Sequence, residues 1–400
     1  MSNDIRILFL NPFIYPLLKE GDVEKDNNNN NEYTKWLKYF GGAQVTLKAI
    51  IRGLAGDAKY KLYVWVWNEF IKSIFDREED YTFVGGVYFS WKRFGIFYKI
   101  YLKIYLFCML ILVRPKIIIK ADYAKSLELI ILLYCYFFKS RYVFFSLTSH
   151  DFVKKNNFFD RLMFKLLRSK NVFFICQNSL QQEQIHSLIM SKNIYIVKNI
   201  YEVEIEKETN LIDTEDGVKK DLQEKYVLWI GRNDDIKNPQ AFVRICSKLP
   251  AKMSKIMICT FNEGDFVGYQ ELKKSTENIG NFILINKEKY FNTQKYFKNA
   301  LVLVNTSFFE GLPNTFLQAT YEGVPIATLQ YDIDGIVSKT GIGNCSNRDE
   351  IKSAEFIQGL YKNQNLWNEI SSNSHKLYAR EFDYEANLSK LKKILDTISR

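Results

Sequence analysis

The residues that most often build metal and redox sites are scarce or scattered in this chain of 400 residues. Its six cysteines include no pair at the spacing of a zinc or dithiol site, and its three histidines are too few and too far apart for a metal cluster. A secretory signal is also missing at the amino terminus. We therefore expect reduced, mostly buried thiols in a cytoplasmic protein.

Long hydrophobic runs are absent as well. The two most apolar stretches, residues 104–113 and 129–138, each hold ten residues, about half of what a bilayer-spanning helix needs. Neither is predicted to cross a membrane. Two interpretations stay open for them, core helices of a sheet or interfacial helices with aromatic residues in lipid and lysines at acidic head groups. Residues 160–170 are a further basic amphipathic candidate.

Positive charge is concentrated in the first half of the chain. Residues 1–200 hold 29 Lys+Arg against 17 Asp+Glu, whereas residues 201–400 hold 26 against 28. Residues 92–170 alone hold 16 against 4. Such an excess indicates a negatively charged partner, which could be nucleic acid, an anionic membrane or a phosphorylated acceptor. No recognised nucleic-acid motif accompanies the charge, so nucleic acid is not predicted.

The length and the 47% hydrophobic content suit two domains. Apolar strands alternate with helices, a pattern typical of α/β domains with parallel sheets. Residues 201–224 carry nine acids and few large apolar residues, which predicts a linker between domains 1–200 and 225–380. Residues 20–32, polar and rich in asparagine, are predicted to form a mobile surface loop.

The apolar runs predict the following strands: 5–10, 61–67, 84–89, 116–120, 142–148, 172–176, 194–197, 226–230, 256–260, 282–285, 300–304 and 326–329. Helices are predicted at 45–54, 93–113, 129–138, from 240, at 290–300 and 315–321, and through most of 349–400.

The most informative segment follows the predicted strand 300–304. Glu310 stands at the strand end, Gly311 and Pro313 form a tight turn, and a helix follows. A glycine allows close backbone approach and a helix N-terminus offers amide groups, so this combination suits a phosphate-bearing ligand. An ordinary strand–turn–helix is the alternative.

Other turns have related signals. Gly41 and Gly42 precede the helix 45–54, and His150 follows the strand 142–148. Arg232 and Lys237 follow the strand 226–230. Two fixed cations at a strand end suit an anionic ligand, whereas a solvated basic pair is the plainer interpretation.

The segments 41–44, 230–239 and 307–325 together resemble the donor site of the retaining glycosyltransferases of family 4 (glycosyltransferases group 1). In that family a glutamate precedes Gly-x-Pro, a second acid stands eight positions later, and Ala-x-x-x-Gly-x-Pro closes the motif. Glu310 fills the first acidic position here, and Gln318 replaces the second acid. Gln318 keeps an acceptor oxygen but loses the charge, which puts the affinity for the ribose in question.

The resemblance implies a role for each matching residue. Glu310 would hold hydroxyls of the transferred sugar, and Gln318 would lie under the nucleotide ribose. Arg232 and Lys237 would clamp the donor diphosphate, and His150 would contact the donor sugar. The remaining substrate-binding positions implied by the family are Gly41, Gly42, Gly311, Leu312, Pro313, Asn314 and Thr315.

The resemblance also implies the architecture and the reaction. We expect an α/β protein with two Rossmann-like domains and parallel sheets facing a cleft (GT-B), and a final helix, 381–400, that returns to the first domain. The expected activity moves a sugar from a nucleotide-diphosphate sugar to a glycan or lipid-linked acceptor, with retention and with neither cofactor nor metal. The setting would be cell-surface polysaccharide biosynthesis at the inner face of the cytoplasmic membrane.

Two alternatives to this reaction stay open. One is a nucleotide-sugar epimerase on the same fold. The other is a non-catalytic protein that binds sugar nucleotides within an assembly complex, an alternative that Gln318 leaves open. The Asp-x-Asp of Asp332 and Asp334 resembles a metal motif of a different glycosyltransferase fold. Because it follows a late strand of the second domain, we expect it to form a turn instead.

Overall fold

The computed structural model describes residues 4–11, 14, 18, 42–67, 75–86, 91–121, 125–146, 158–203, 211–213, 219–221, 224–261, 265–286 and 293–400. The predicted loop at 20–32 lies outside these residues, as do Gly41 and His150. The chain divides into two compact units. The first comprises Met1–Ile200 and Tyr384–Arg400, and the second comprises Tyr201–Asp383.

The first unit is built on an eight-stranded sheet of order β3-β4-β2-β1-β5-β6-β7-β8. The strands are β1 (Ile5–Leu10), β2 (Tyr60–Trp67), β3 (Phe75–Arg77), β4 (Tyr81–Gly86), β5 (Ile117–Lys120), β6 (Arg141–Phe145), β7 (Val172–Cys176) and β8 (Ile194–Ile196). All neighbours pair in parallel except β3 with β4. Central strands are buried on both faces, which is why they appear in the sequence as continuous apolar runs.

The described residues of this unit form the helices α1 (Gly42–Ala55), α2 (Trp91–Val113), α3 (Lys125–Phe138), α4 (Phe158–Leu167) and α5 (Ser179–Ile189), together with the carboxyl-terminal helix α12 (Tyr384–Ser399). Helices α2 to α5 pack each against the next, and α12 packs on α1. At that contact a Cβ on Gly53 would lie 2.5 Å from the Leu388 side chain. Glycine therefore lets the two helices approach closely.

The second unit has a six-stranded, wholly parallel sheet of order β13-β12-β11-β14-β15-β16. Its strands are β11 (Tyr226–Arg232), β12 (Ser254–Thr260), β13 (Phe282–Asn286), β14 (Ala300–Asn305), β15 (Ile326–Thr328) and β16 (Gly343–Cys345). Its helices are α6 (Pro239–Cys246), α7 (Phe266–Thr276), α8 (Asn314–Tyr321), α9 (Ile336–Thr340), α10 (Glu350–Lys362) and α11 (Gln364–Leu377). Two short strands, β9 (Leu211–Asp213) and β10 (Lys219–Asp221), form an antiparallel pair within the acidic segment.

One predicted helix is wrong and several short strands were not predicted. Where a helix was expected at 290–300, the described residues form a single 3-10 turn, Gln294–Tyr296, and Ala300 already begins β14. Gln294, Tyr296 and Phe297 are all buried, so burial here does not separate apolar from polar side chains as it does in a surface helix. Strands β3 and β16 were missed because three residues are too few to show periodicity.

All six cysteines are free thiols, and four of them are buried. Burial raises the pKa of the Cys135, Cys246 and Cys259 thiols, so these side chains stay neutral and pack as small apolar groups.

A buried charged cluster lies in the core of the first unit. Lys120, the last residue of β5, places its Nζ 2.5 Å from Glu128 Oε1 on α3. The Tyr142 hydroxyl of β6 donates to the other carboxylate oxygen at 2.7 Å. All three side chains are almost wholly buried. Each partner therefore compensates charge or polarity that would be costly alone in the core.

We expect Lys120→Met to lower the free energy of unfolding by about 3 kcal/mol or more, because Glu128 would keep a buried charge without its cation. Adding Glu128→Leu to this variant should restore part of the loss. Urea denaturation measures both effects, and Lys116→Met, at an exposed position just before β5, is the matched control. Equal losses in the single and double variants would contradict this account of the cluster.

Candidate active site

The candidate site lies at the carboxyl ends of β11 and β14. These strands are parallel neighbours, so the loops that follow them emerge at the same edge of the sheet. Trp229 Nε1 donates to Thr306 Oγ1 at 2.9 Å, and that hydroxyl donates to the Lys237 carbonyl at 2.7 Å. The Phe308 amide donates to the Ile236 carbonyl at 2.8 Å. These bonds tie the two loops together.

The joined loops bring Lys237 and Glu310 into an ion pair. The same Glu310 oxygen accepts a hydrogen bond from Ser307 Oγ at 2.7 Å, and Tyr331 donates its hydroxyl to the Glu310 carbonyl at 2.5 Å. Only 12% of the Glu310 side chain and 23% of the Lys237 side chain are exposed. The carboxylate is thus held in a defined orientation inside a partly water-excluded setting.

Asp234 organises the turn that carries both predicted cations. Its Oδ1 accepts from the Lys237 amide at 2.8 Å, and its Oδ2 lies 3.1 Å from Arg232 Nη2. Arg232 is 65% exposed, in contrast to the half-buried Lys237. Asn238 takes a left-handed conformation and Pro239 starts α6, so the turn ends abruptly after Lys237. The turn therefore presents one engaged cation and one solvent-facing cation.

The segment after Glu310 forms the expected turn and helix. Gly311, Leu312 and Pro313 are buried, and α8 starts at Asn314 with Pro313 as its N-cap. The N-cap residue Pro313 makes no side-chain hydrogen bond to the helix, and Asn314 and Thr315 are partly exposed at its start. The helix thus points its positive end towards the edge where Glu310 lies.

Gly323, further along the motif, has a packing role. Its φ is +69°, and a Cβ there would lie 2.5 Å from Ser371 Oγ and would also overlap His375 of α11. A larger residue fits neither the backbone nor the space. This glycine is explained by the approach of α11.

Gln318 lies on α8 and is only 3% exposed. Its Nε2 donates to Thr293 Oγ1 at 2.9 Å, which anchors the segment that leads into β14. The Gln318 amide therefore has a hydrogen-bond partner within the protein, independent of any bound nucleotide. Its predicted place beneath the ribose stays a prediction.

The other predicted positions are distributed as follows. Gly42 is the first residue of α1 in the first unit, whereas Gly41 and His150 lie outside the described residues. Asp332 accepts from the amides of Val337 at 2.7 Å and Ser338 at 3.0 Å, so it caps α9. The Asp-x-Asp segment is thus explained as a turn and helix cap.

Sequence reasoning missed several residues that shape the site, namely Asp234, Thr306, Ser307 and Tyr331. The sequence could have indicated Asp234, since an aspartate in a turn before a helix often accepts a hydrogen bond from a backbone amide a few residues later. The other three act through contacts between loops that are distant in sequence. Within the described ranges, no group of three or more His, Cys, Asp or Glu side chains is arranged to hold a metal ion.

The architecture defines the class of protein. Each unit is a mainly parallel sheet flanked by helices, and the chain has the GT-B fold. Sucrose-phosphate synthase from Thermosynechococcus elongatus is similar, with TM-score 0.72, 12% identity and 98% of each chain covered. So is Anabaena HepE, solved with UDP, with TM-score 0.70, 11% identity, and 98% of this chain and 100% of that chain covered. A glycosyltransferase from Rickettsia africae ESF-5 has TM-score 0.68 and 10% identity, with 99% of each chain covered.

The sequence of the second unit matches a known family. Residues 213–377 match the family model described as Glycosyl transferases group 1, a span that includes Arg232, Lys237, Glu310 and Gln318. Residues 213–377 are thus similar to the glycosyltransferases of group 1, and the whole chain shares the GT-B fold. Among curated proteins, no sequence matches this chain.

We expect Gln318→Glu to fold normally and to bind UDP roughly tenfold more tightly, because a carboxylate accepts ribose hydroxyls more strongly than an amide. The Thr293 hydroxyl can donate to the new carboxylate in place of the lost amide bond. Isothermal titration with UDP measures the change. The control is the double variant Gln318→Glu, Thr293→Val, in which the new carboxylate no longer receives a hydrogen bond from the hydroxyl at position 293. An unchanged UDP affinity in a folded Gln318→Glu would contradict the predicted position of Gln318 beneath the ribose.

Proposed function

We propose that this glycosyltransferase moves a sugar, with retention of configuration, from a nucleotide-diphosphate sugar to a glycan or glycolipid acceptor. The observation that carries the proposal is the Lys237–Glu310 pair at the edge shared by β11 and β14. One site thereby holds a cation suited to a diphosphate and an anion suited to sugar hydroxyls. A nucleotide-diphosphate sugar presents both groups next to each other.

The charges match the demands of the reaction. When the bond from the anomeric carbon to the phosphate oxygen breaks, the electron pair leaves with the diphosphate, which gains negative charge. Lys237 and Arg232 would stabilise this charge, and Glu310 would accept hydrogen bonds from the departing sugar's hydroxyls. In the proposed course the acceptor hydroxyl attacks the face that the diphosphate leaves and gives its proton to a donor phosphate oxygen. No step in this scheme needs a metal or cofactor.

The remaining assignments come from the resemblance and are proposals of the same kind. The backbone of Gly311, Leu312, Pro313, Asn314 and Thr315 would face the sugar and phosphates. The position of these residues at the start of α8 supports this role, since helix N-termini favour anions. The resemblance also assigns Gly41 and Gly42 to substrate binding and His150 to the donor sugar.

We also propose a setting in cell-surface polysaccharide biosynthesis, of the O-antigen or capsule type, at the inner face of the cytoplasmic membrane. What supports it is the basic excess of residues 92–170, where 16 Lys+Arg stand against 4 Asp+Glu. Anabaena HepE has been solved with UDP-glucose, so UDP-sugars are the first donors to test on this chain.

A screen of nucleotide sugars by thermal shift would find the donor, and release of nucleoside diphosphate would then be followed with and without lipid-linked acceptor. We expect Lys237→Ala and Arg232→Ala to lower turnover by about 10² or more, the scale of losing one electrostatic stabiliser of a transition state. Glu310→Gln should also lower it strongly, because a charged hydrogen bond to the sugar is lost.

The matched control is the pair Arg244→Ala and Lys248→Ala, since both cations lie in the same unit but pair with Glu350. These variants should turn over normally. Wild-type turnover in a Lys237→Ala, Arg232→Ala double variant would overturn the assignment of the cations. Donor conversion without any acceptor would favour an epimerase, and tight nucleotide binding without conversion would favour a binding protein.

A further inference from the structure

Helix α2 exposes apolar side chains along one face. Beyond its first turns, the exposed positions recur every three or four residues, as expected for one side of a helix. Where a surface helix normally places charges, residues 104–113 contain none. The large exposed side chains are Ile100, Tyr101, Ile104, Phe107 and Leu112.

Helix α3 continues the same surface. Leu133, Tyr136 and Phe137 lie on one side of this helix, and Phe137 is 72% exposed. Phe138 is exposed beside them and stacks on Tyr134. Helices α2 and α3 pack against each other, and each has an exposed apolar stripe. We call the surface formed by Ile104, Phe107, Leu112, Leu133, Tyr136 and Phe137 the α2–α3 face.

Exposed cations border the α2–α3 face at one end. Arg114 follows the last residue of α2, Lys139 follows the last residue of α3, and Lys116 precedes β5; all three are exposed. The Arg141 amide donates to the Lys116 carbonyl at 2.8 Å, which places the two helix ends at the same sheet edge. Arg114 and Lys139 have left-handed φ of 48° and 55°, a conformation usually left to glycine or asparagine. Both helices therefore end in a cation where a neutral residue would fit the backbone better.

The apolar face and its basic border together indicate which kind of partner would bind there. A second copy of this chain would bring the same cations together, and like charges at an interface oppose association. An acidic bilayer surface satisfies both parts, since acyl chains take up the apolar side chains and head groups meet the cations. We propose that the α2–α3 face is a docking surface for an anionic membrane.

The docking is interfacial. Within the described ranges, no helix is both long and apolar enough to span a bilayer. The apolar part of α2, ten residues, is about 15 Å long, half the thickness of the hydrocarbon core. The helices would therefore lie along the surface with their outer side chains in the head-group boundary. This attachment is separate from donor chemistry and rests on the proposed function only in the nature of the acceptor.

The first test is co-sedimentation of the full chain with phosphatidylcholine vesicles that contain or lack phosphatidylglycerol, at low and high salt. Binding should need the acidic lipid and should fall at high salt. The triple variant Ile104→Gln, Leu112→Gln, Phe137→Gln should bind at least about tenfold more weakly, because three apolar groups no longer enter the lipid. Its matched control is Phe266→Gln, Val267→Gln, Ile351→Gln, three comparably exposed side chains of the second unit, which should bind like wild type.

A second variant tests the basic border. Arg114→Asn, Lys116→Gln, Lys139→Asn removes three charges and keeps residues that tolerate the left-handed backbone at 114 and 139. Binding should fall roughly a hundredfold, since each basic residue near an acidic surface contributes roughly fivefold to the affinity and the variant removes three of them. Lys352→Gln, Lys362→Gln, Lys376→Gln, exposed on the second unit, is the matched control.

Cys108 supplies an independent reporter on the same helix. It is exposed, whereas Cys345 is only partly exposed and the other four cysteines are buried. An environment-sensitive fluorophore attached to Cys108 in a Cys345→Ser background should shift to the blue with acidic vesicles and stay unchanged with neutral ones.

Several results would overturn the proposal. These are failure of wild type to bind acidic vesicles at low salt, equal binding by the Ile104 triple variant and its control, or an unchanged reporter at Cys108. A dimer in sedimentation that the Ile104 triple variant alone dissolves, with vesicle binding intact, would show that a second copy covers the face. UDP binding by the variants should equal that of wild type in every case, so failure here leaves the proposed reaction untouched.

Discussion

The site depends on one constraint, the parallel pairing of β11 with β14. Because parallel neighbours end at the same edge of a sheet, Lys237 and Glu310 meet although 73 residues separate them in the chain. The hydrogen bond from Trp229 to Thr306, and from Thr306 to the Lys237 carbonyl, fixes one loop against the other. A core side chain thus sets the distance between the charges that the proposed reaction uses.

The ion pair also stabilises the two charges of the site. Two half-buried, unpaired charges would each lose hydration, whereas paired charges compensate each other. Ser307 satisfies the same carboxylate oxygen and Asp234 holds the turn that carries Lys237, so neither charge depends on solvent for its position. A donor with a diphosphate and a hydroxylated sugar would give Lys237 a phosphate oxygen in place of the carboxylate. It would give Glu310 sugar hydroxyls, which donate hydrogen bonds, in place of the ammonium.

Sequence alone predicted the parts that depend on local pattern. Buried parallel strands such as β7 and β14 are continuous apolar runs bounded by turns, and the motif around Glu310 is contiguous. The features that were not predicted from the sequence depend on contacts between segments that are distant in the chain. The segment before β14 buries Tyr296 and Phe297 instead of forming a helix, and Ser307 and Tyr331 gain their roles only when loops meet. The sequence of α2 and α3 is apolar both on the side that faces the sheet and on the side that faces solvent. The exposed face could therefore be found only from the structure.

The claim that Lys237 and Glu310 form the donor site is tested most directly by a crystal structure of the full chain with UDP bound. The account predicts that the diphosphate lies between the start of α8 and the turn 232–237, with Lys237 Nζ moved from Glu310 to a phosphate oxygen. Glu310 should then be left facing the space beyond the terminal phosphate, where a sugar would sit. UDP bound elsewhere, or bound with the Lys237–Glu310 pair intact and no cation on the diphosphate, would contradict it.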